Sequence, residues 1–570
     1  MNHRIFLFLQ KHEYAALFFI AAALLSLLQL HPSFVDPDSF YHARIAVEMI
    51  HGPMVSFSVL PFTVLSDIFI DHHFLYHVIL IPFVTFFNPL VGLKVATTLF
   101  AAGFLTFFYW LLRTHARVKP SHALLFLAFL VLNTVFLFRL NLAKIPAVSL
   151  FVYFAGLIAI IKNKPVHLFG LSFLYVWLYG GWPLLPFSAF VAWGVKTIEA
   201  FLAKRREGYL SSSLLMPLAS LFGAFLGLVL NPYFPTNLSF YWIQTFKIAA
   251  LNSLTAVPVG GEWYPAGLSF IPAHGPTLAI LLFALIAICV PGLFALVFST
   301  KIPRRSWEHW FLLALTLIFF ALTLKSRRYG EYFAPLATFF SAIMLTPLLS
   351  KEGLLQLWHF IKRSVRRPRT LAGAVTIYFL IVAPLIVISN ITSVVSSFRN
   401  GLAFDRYAGG SAWIQNHVPK GALIFHHRWD DFPLLYYHAP DYRYVSGLDA
   451  RFLYEKDPER AKDYATFSAG ADLDDTFGYR ALCATTSPSV MGSGSVSRSE
   501  SVPDPITGIL LECTPIEEKM RAASFVNSFD PAIVVISNSG LPLDKKIRDV
   551  LGFSEVYKDD ELTILAPTER

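Results

Sequence analysis

From Tyr14 to Asn390 the chain repeats one pattern: an apolar run of roughly 17 residues or more, a short polar break, then another run. Each run is long enough to cross a hydrocarbon core of about 30 Å. A backbone in lipid must satisfy its own hydrogen bonds, so such runs fold as helices. The runs at 14–30, 91–112, 121–138, 145–161, 166–181, 183–199, 211–230, 276–298, 308–324, 330–349 and 371–390 predict about eleven transmembrane helices. The run 74–87 is shorter and follows Asp71-His72-His73, which predicts a re-entrant or interfacial helix. Arg4 and Lys11 precede the first run, and His31-Pro32-Ser33-Phe34 after it offers no small-residue cleavage site. The first run therefore reads as an uncleaved helix.

Basic residues orient the chain. The net charge of +9 lies in short clusters between apolar runs, which excludes a nucleic-acid surface and fits positive-inside loops. The clusters are Arg113/Arg117/Lys119, Lys162/Lys164, Lys204/Arg205/Arg206, Lys301/Arg304/Arg305 and the series from Lys351 through Lys362, Arg363, Arg366 and Arg367 to Arg369. With the N-terminus cytoplasmic and 74–87 not spanning, every cluster faces the cytoplasm. If 74–87 spanned, all of them would face out. The expected fold class is an α-helical polytopic membrane protein with a C-terminal α/β extracytoplasmic domain, and the expected location is the plasma (inner) membrane of the cell envelope. The expected domains are 1–393, with first outer loop 31–90 and long outer loop 231–275, and 394–570. Hydrophobic residues make up 55% of the chain and charged ones 15%, but beyond Asn390 the composition is that of a soluble domain. Three cysteines exclude a disulfide scaffold. Cys289 lies in an apolar run, while Cys483 and Cys513 could pair if their domain faces an oxidising compartment.

The same orientation sends the remaining polar segments to one face. Asp36-Pro37-Asp38 opens the first outer loop. Two carboxylates so spaced can share a divalent cation, or divide metal binding and base catalysis. Asp38 equally fits an N-cap for a helix over 39–50. His73 and His77 share a helix face, as a zinc pair would, and Asp71-His72-His73 also suits hydrogen bonds to phosphate or sugar. Arg139, Asn141 and Lys144 suit an anionic headgroup, or snorkel at the interface. Glu262 follows two glycines and precedes two aromatics. Arg327 and Arg328 lie on the outer side against the positive-inside trend, which calls for a carboxylate or phosphate partner. Arg428-Trp429-Asp430-Asp431 follows a strand-like 422–425 and suits a hydroxyl or sugar, or else a packed Trp with an Asp cap. The Ser- and Gly-rich stretch 485–505 reads as a loop.

Taken in order, these segments resemble the type C membrane glycosyltransferases, and most of all the catalytic subunit of oligosaccharyltransferase. Asp36-Pro37-Asp38 with Tyr41-His42 resembles that family's first-loop acidic motif. Gly180-Gly181-Trp182 looks like its Trp-Gly-Gly junction, Arg328-Tyr329 with Tyr332-Phe333-Ala334-Pro335 like its late Arg-aromatic helix, and Arg428-Trp429-Asp430-Asp431-Phe432 like a degenerate Trp-Trp-Asp-Tyr-Gly motif. The resemblance implies transfer of a sugar or oligosaccharide from a polyprenyl-(di)phosphate donor to a protein, lipid or glycan acceptor at the outer face. It implies catalysis by Asp38 and Asp36, a divalent cation (Mg2+ or Mn2+) on Asp38 and Glu262, and acceptor binding by Trp429, Asp430 and Asp431. Arg139, Lys144, Arg328, His72 and His73 would meet the donor phosphate. The family's second outer loop supplies an acidic pair, and this chain has Arg139, Asn141 and Lys144 there. Rival readings are a lipid-linked glycan transporter or flippase and a non-catalytic polysaccharide assembly subunit. Against the transporter, the polar residues gather at one face and no inverted repeat is visible.

Overall fold

The structure, a computed structural model, describes residues 12–202 except 55, 209–250, 260–297 except 268–269, 306–346, 383–471, 526–538 except 527, 552–568, and scattered positions between 349 and 381 and at 548. Cys483, Cys513, the stretch 485–505, the basic clusters at 204–206 and 301–305, and 371–380 of the last expected span lie outside the described residues. So does the side chain of Cys289.

The chain divides into two compact units. One comprises Met1–Pro53, Asp71–Ala249 and Gly260–Phe404, the other Met54–Ile70, Ala250–Val259 and Asp405–Arg570. The first unit is helical. Pro89–Thr114, Leu184–Leu202 and Trp307–Lys325 are, among the described residues, the unbroken helices long and apolar enough to cross a membrane. Shorter apolar helices accompany them, including Phe74–Phe86, Pro146–Ile161 and Pro165–Leu178. Among the described residues of this unit, helices begin at Pro89, Pro120, Pro146 and Pro165. There the missing N–H costs nothing, and φ is already set. Gly223 lets two helices touch backbone to backbone: a Cβ there would lie 2.2 Å from the Phe169 carbonyl oxygen. Phe74–Phe86 is short, as the run 74–87 predicts.

The run 121–138 departs from its expected single span. Pro120–Val131 and Thr134–Leu140 meet at 84°. Asn133 makes the break. Its side-chain oxygen accepts from Phe136 N at 3.0 Å and restarts the helix, while its amide donates to Thr277 Oγ1 at 2.8 Å and lies 2.9 Å from His274 Nδ1. Hydropathy averages over such a residue; the cap does not.

A two-stranded antiparallel ribbon, β1 (Ser33–Phe34) with β2 (Leu402–Ala403), closes the first unit. The second unit contains β3 (Leu423–His426), β4 (Arg443–Tyr444), β5 (Ile533–Ser537), β6 (Phe553–Lys558) and β7 (Leu562–Pro567) in the order β4-β3-β5-β7-β6. β3 is parallel to β4 and β5; β7 is antiparallel to β5 and β6. β5 is buried at every position, as a strand covered on both faces must be. Its core joins Phe425, Val534, Ile536 and Leu565 to Tyr464 and Phe529. The segment 54–70, drawn from the first loop, packs into this unit. Phe57 stacks on Phe69 at 4.7 Å and meets Tyr436 edge-on at 5.6 Å, and Tyr444 N donates to Val59 O at 2.7 Å.

Candidate active site

The first carboxylate pair is built by a helix start. Pro37 is the N-cap of Asp38–Glu48, and Asp36 Oδ1 accepts from the Asp38 backbone N–H at 3.0 Å. The capping bond belongs to Asp36, so the Asp38 carboxylate is free to leave the helix. It meets Lys144, whose Nζ lies 2.7 Å from Asp38 Oδ2 and 2.8 Å from Asp36 Oδ1. Burial pushes the Asp38 carboxyl up to about 6; Lys144 opposes that and Asp36 adds to it. Burial works against the Lys144 charge too, but Asp36 and Asp38 hold its ammonium above the ordinary lysine range.

A ladder of alternating charge lies in the same unit. Glu331 opens an almost wholly buried helix, Gly330–Leu345, and accepts from Arg139 Nε at 2.8 Å. Arg139 Nη1 reaches Glu262 Oε2 at 2.5 Å, and Glu262 Oε1 takes Arg328 Nη1 at 2.5 Å. Burial would raise the Glu262 carboxyl, but Arg328 and then Arg139 hold it well below the usual carboxylate range. Arg328 lies 4.7 Å over the Trp263 ring and donates to Tyr179 Oη through Nη2 at 2.6 Å. The Glu262 loop is clamped by Ser326 Oγ donating to Glu262 O at 2.9 Å and by Arg327 N donating to Tyr264 O at 3.1 Å. Gly181 fits because its Tyr179 neighbour leaves no room: a Cβ would lie 2.3 Å from Tyr179 Cε1.

Beside Tyr179 lies a histidine cluster. Asp71 Oδ2 is 2.7 Å from His77 Nδ1, and His77 Nε2 is 2.7 Å from His42 Nδ1. The two contacts join Asp71, His77 and His42 into one chain of side chains. His73 stacks on Tyr179 at 5.7 Å, and neither of its buried ring nitrogens has a hydrogen-bond partner. His72 lies 4.0 Å from the His73 ring and 5.2 Å from Phe240. Burial holds His72 down to about 4 and His73 well below the ordinary histidine range, so both are neutral near pH 7 and each offers one N–H. The pairing of His73 with His77 as zinc ligands is not formed. His77 spends both nitrogens on Asp71 and His42, and no group of three or more metal-ligating side chains occurs among the described residues.

Within the second unit, Arg428 forks onto Asp430, Nε to Oδ1 and Nη2 to Oδ2, both at 3.1 Å. Trp429 packs against that unit's core. Asp431 accepts from Tyr407 Oη at 2.8 Å, and burial pushes its carboxyl up to about 7. Asp431 precedes the helix Phe432–His438 without capping it through its side chain.

The first unit thus brings Asp36, Asp38, Lys144, Glu262, Arg139 and Arg328 into two linked ion clusters, with His72 and His73 at Tyr179. Sequence reading named Asp71, His77 and His42 but not the chain they form, and it overlooked Glu331 and Tyr179 as site members. Glu331 left a signal, an acidic residue in an apolar helix one turn after Arg328. Tyr179 left none.

No family model and no curated protein matches the chain. Solved structures do. ArnT from Cupriavidus metallidurans, bound to undecaprenyl phosphate, superposes at a TM-score of 0.51 and 14% identity over 97% of this chain and 98% of that one. The oligosaccharyltransferase of Archaeoglobus fulgidus in its apo form gives a TM-score of 0.50 at 14% identity, covering 80% of this chain and 68% of that one. The chain has the fold of these two proteins. That is the fold implied by the resemblance to type C membrane glycosyltransferases.

Proposed function

We propose that this protein is a membrane glycosyltransferase that moves a sugar or oligosaccharide from a polyprenyl-(di)phosphate donor to an acceptor at the outer face of the inner membrane, with inversion. The observation that carries the reading is the meeting of loop residues 36, 38, 144, 262 and 328 in one fold shared with a protein bound to undecaprenyl phosphate. A transporter would want such charges at mid-membrane between inverted repeats. Here they sit where helices begin and end.

In this reading Asp38 is the general base. It accepts the proton of the acceptor nucleophile as that atom bonds the anomeric carbon and the anomeric C–O bond breaks, the electron pair leaving with the lipid phosphate. A carboxyl raised to about 6 suits a base working near neutral pH. Arg328 and the neutral His72 and His73 meet the phosphate oxygens. His73, buried with both nitrogens unpartnered, gains a partner when the donor binds. Arg139 is committed to Glu331 and Glu262, so it acts by holding Glu262 and through it Arg328. Trp429, Asp430 and Asp431 bind the acceptor. The N-terminus is cytoplasmic and the second unit extracytoplasmic.

The test uses purified full-length protein with a panel of polyprenyl-linked sugars and candidate acceptors. Wild type transfers sugar and Asp38→Ala does not. No transfer across the panel, or equal transfer by the variant, sinks the reading. A reporter fused after Arg570 is expected outside the cytoplasm.

A further inference from the structure

The resemblance implies a divalent cation on Asp38 and Glu262, and the residues present do not fit one. Glu262 has given both carboxylate oxygens to arginines. Asp36 and Asp38 each have an oxygen within 2.8 Å of the same lysine nitrogen. We propose that Lys144 takes the place of a bridging divalent cation, so that the Asp36–Asp38 pair works without metal. This rests on the glycosyltransferase reading only for what the pair does, not for what neutralises it.

Geometry supports the substitution first. A Mg2+ ion bridging the same two oxygens would lie about 2.0–2.1 Å from each. The ammonium already fills the space between them, and two cations cannot share it. Nor is the lysine a loose surface chain. Its side chain is 13% exposed. Its backbone N–H donates to Leu142 O at 2.7 Å, and Gln29 Nε2 donates to Asn141 O at 2.8 Å, tying this loop to the end of the first helix. Pro146 then starts the next helix two residues on. The ammonium is therefore delivered to the pair by a short, anchored turn.

Charge supports it second. Two carboxylates against one ammonium keep one negative charge, whereas a dication would cancel both. The retained charge leaves Asp38 a proton acceptor; a dication would draw it toward the weakly basic state of a metal ligand. Lys144 is thus a positioning residue that keeps Asp38 both oriented and basic.

The experiment measures Mn2+ uptake by the EDTA-stripped full-length protein, using electron paramagnetic resonance, alongside transfer assays. Wild type is expected to take up no stoichiometric Mn2+ and to transfer at the same rate with or without EDTA. Lys144→Gln is expected to lose about 10- to 100-fold in transfer, to take up one Mn2+, and to recover part of its rate in Mn2+ or Mg2+. Stoichiometric Mn2+ in wild type that disappears in Asp36→Asn overturns the proposal, and so does a folded Lys144→Gln protein that takes up none. If Lys144→Gln does not fold, the wild-type measurement decides. A wild type that transfers nothing would sink the glycosyltransferase reading, while Mn2+ uptake would still judge this one.

Discussion

The two units each contain a pair of acidic residues, and they neutralise them in opposite ways. In the second unit Asp430 takes its cation from two residues away, Arg428, at a point where both side chains are about a third exposed. In the first unit Asp38, itself 32% exposed, draws on a lysine 106 residues away, and Arg139 is buried with a glutamate 192 residues away whose side chain is 1% exposed. A local exposed pair is worth little and costs little. A buried pair gathered from distant segments pays a desolvation penalty that its own attraction barely returns. Stability alone does not account for such a cluster, and the proposed transfer chemistry in the first unit gives it a purpose.

The comparison breaks most sharply at Asp38. Asp38→Asn is expected to lower transfer by about 10²- to 10⁴-fold, the range of a general base. In wild type the rate should climb as pH rises through about 6, because the base must be ionised. A flat profile from pH 5 to 8 would remove Asp38 from that role. Stability runs the other way. The folded carboxyl lies above its unfolded value, so its contribution is full below about pH 4 and is lost as pH rises through about 6. Asp38→Asn should flatten that slope in thermal unfolding.

Glu331→Gln tests burial. It leaves Arg139 half-paired in a closed site, and a loss of about 3–5 kcal/mol is expected from thermal or denaturant unfolding in detergent. A loss near that of an exposed pair would erase the contrast between the units. Gly181→Ala is milder: its Cβ must displace the Tyr179 ring, with an expected cost of about 1–3 kcal/mol and a raised KM for donor through Arg328. Asp430→Asn should be smallest, below about 1 kcal/mol in stability, with its effect in acceptor KM. A larger stability loss there than at Glu331 would reverse the comparison.

Much of this was legible beforehand, for different reasons. Apolar runs announce helices by length alone. The strand 422–425 was readable from local pattern and appears as β3. Asp36, Asp38, Lys144, Glu262 and Arg328 stood out because charge is rare in such a chain, and the structure brings all of them together in one unit. Pairing was not legible. Nothing local says that Asp36 takes the cap and frees Asp38, or that Asn133 bends an apolar run by 84°. Nor does local pattern say that His77 is spent on Asp71 and His42, or that Glu262 belongs to two arginines.

By itself, the sequence determined that this chain is built from membrane-length helices with a sheet-containing C-terminal region, and which polar residues were too costly to keep without a purpose. Those properties follow from length, periodicity and the transfer energy of each side chain, all local quantities. Only the tertiary structure decided which charge meets which. A salt bridge has a range of a few ångströms, and distances across 106 or 192 residues are set by helix packing, not by the chain between.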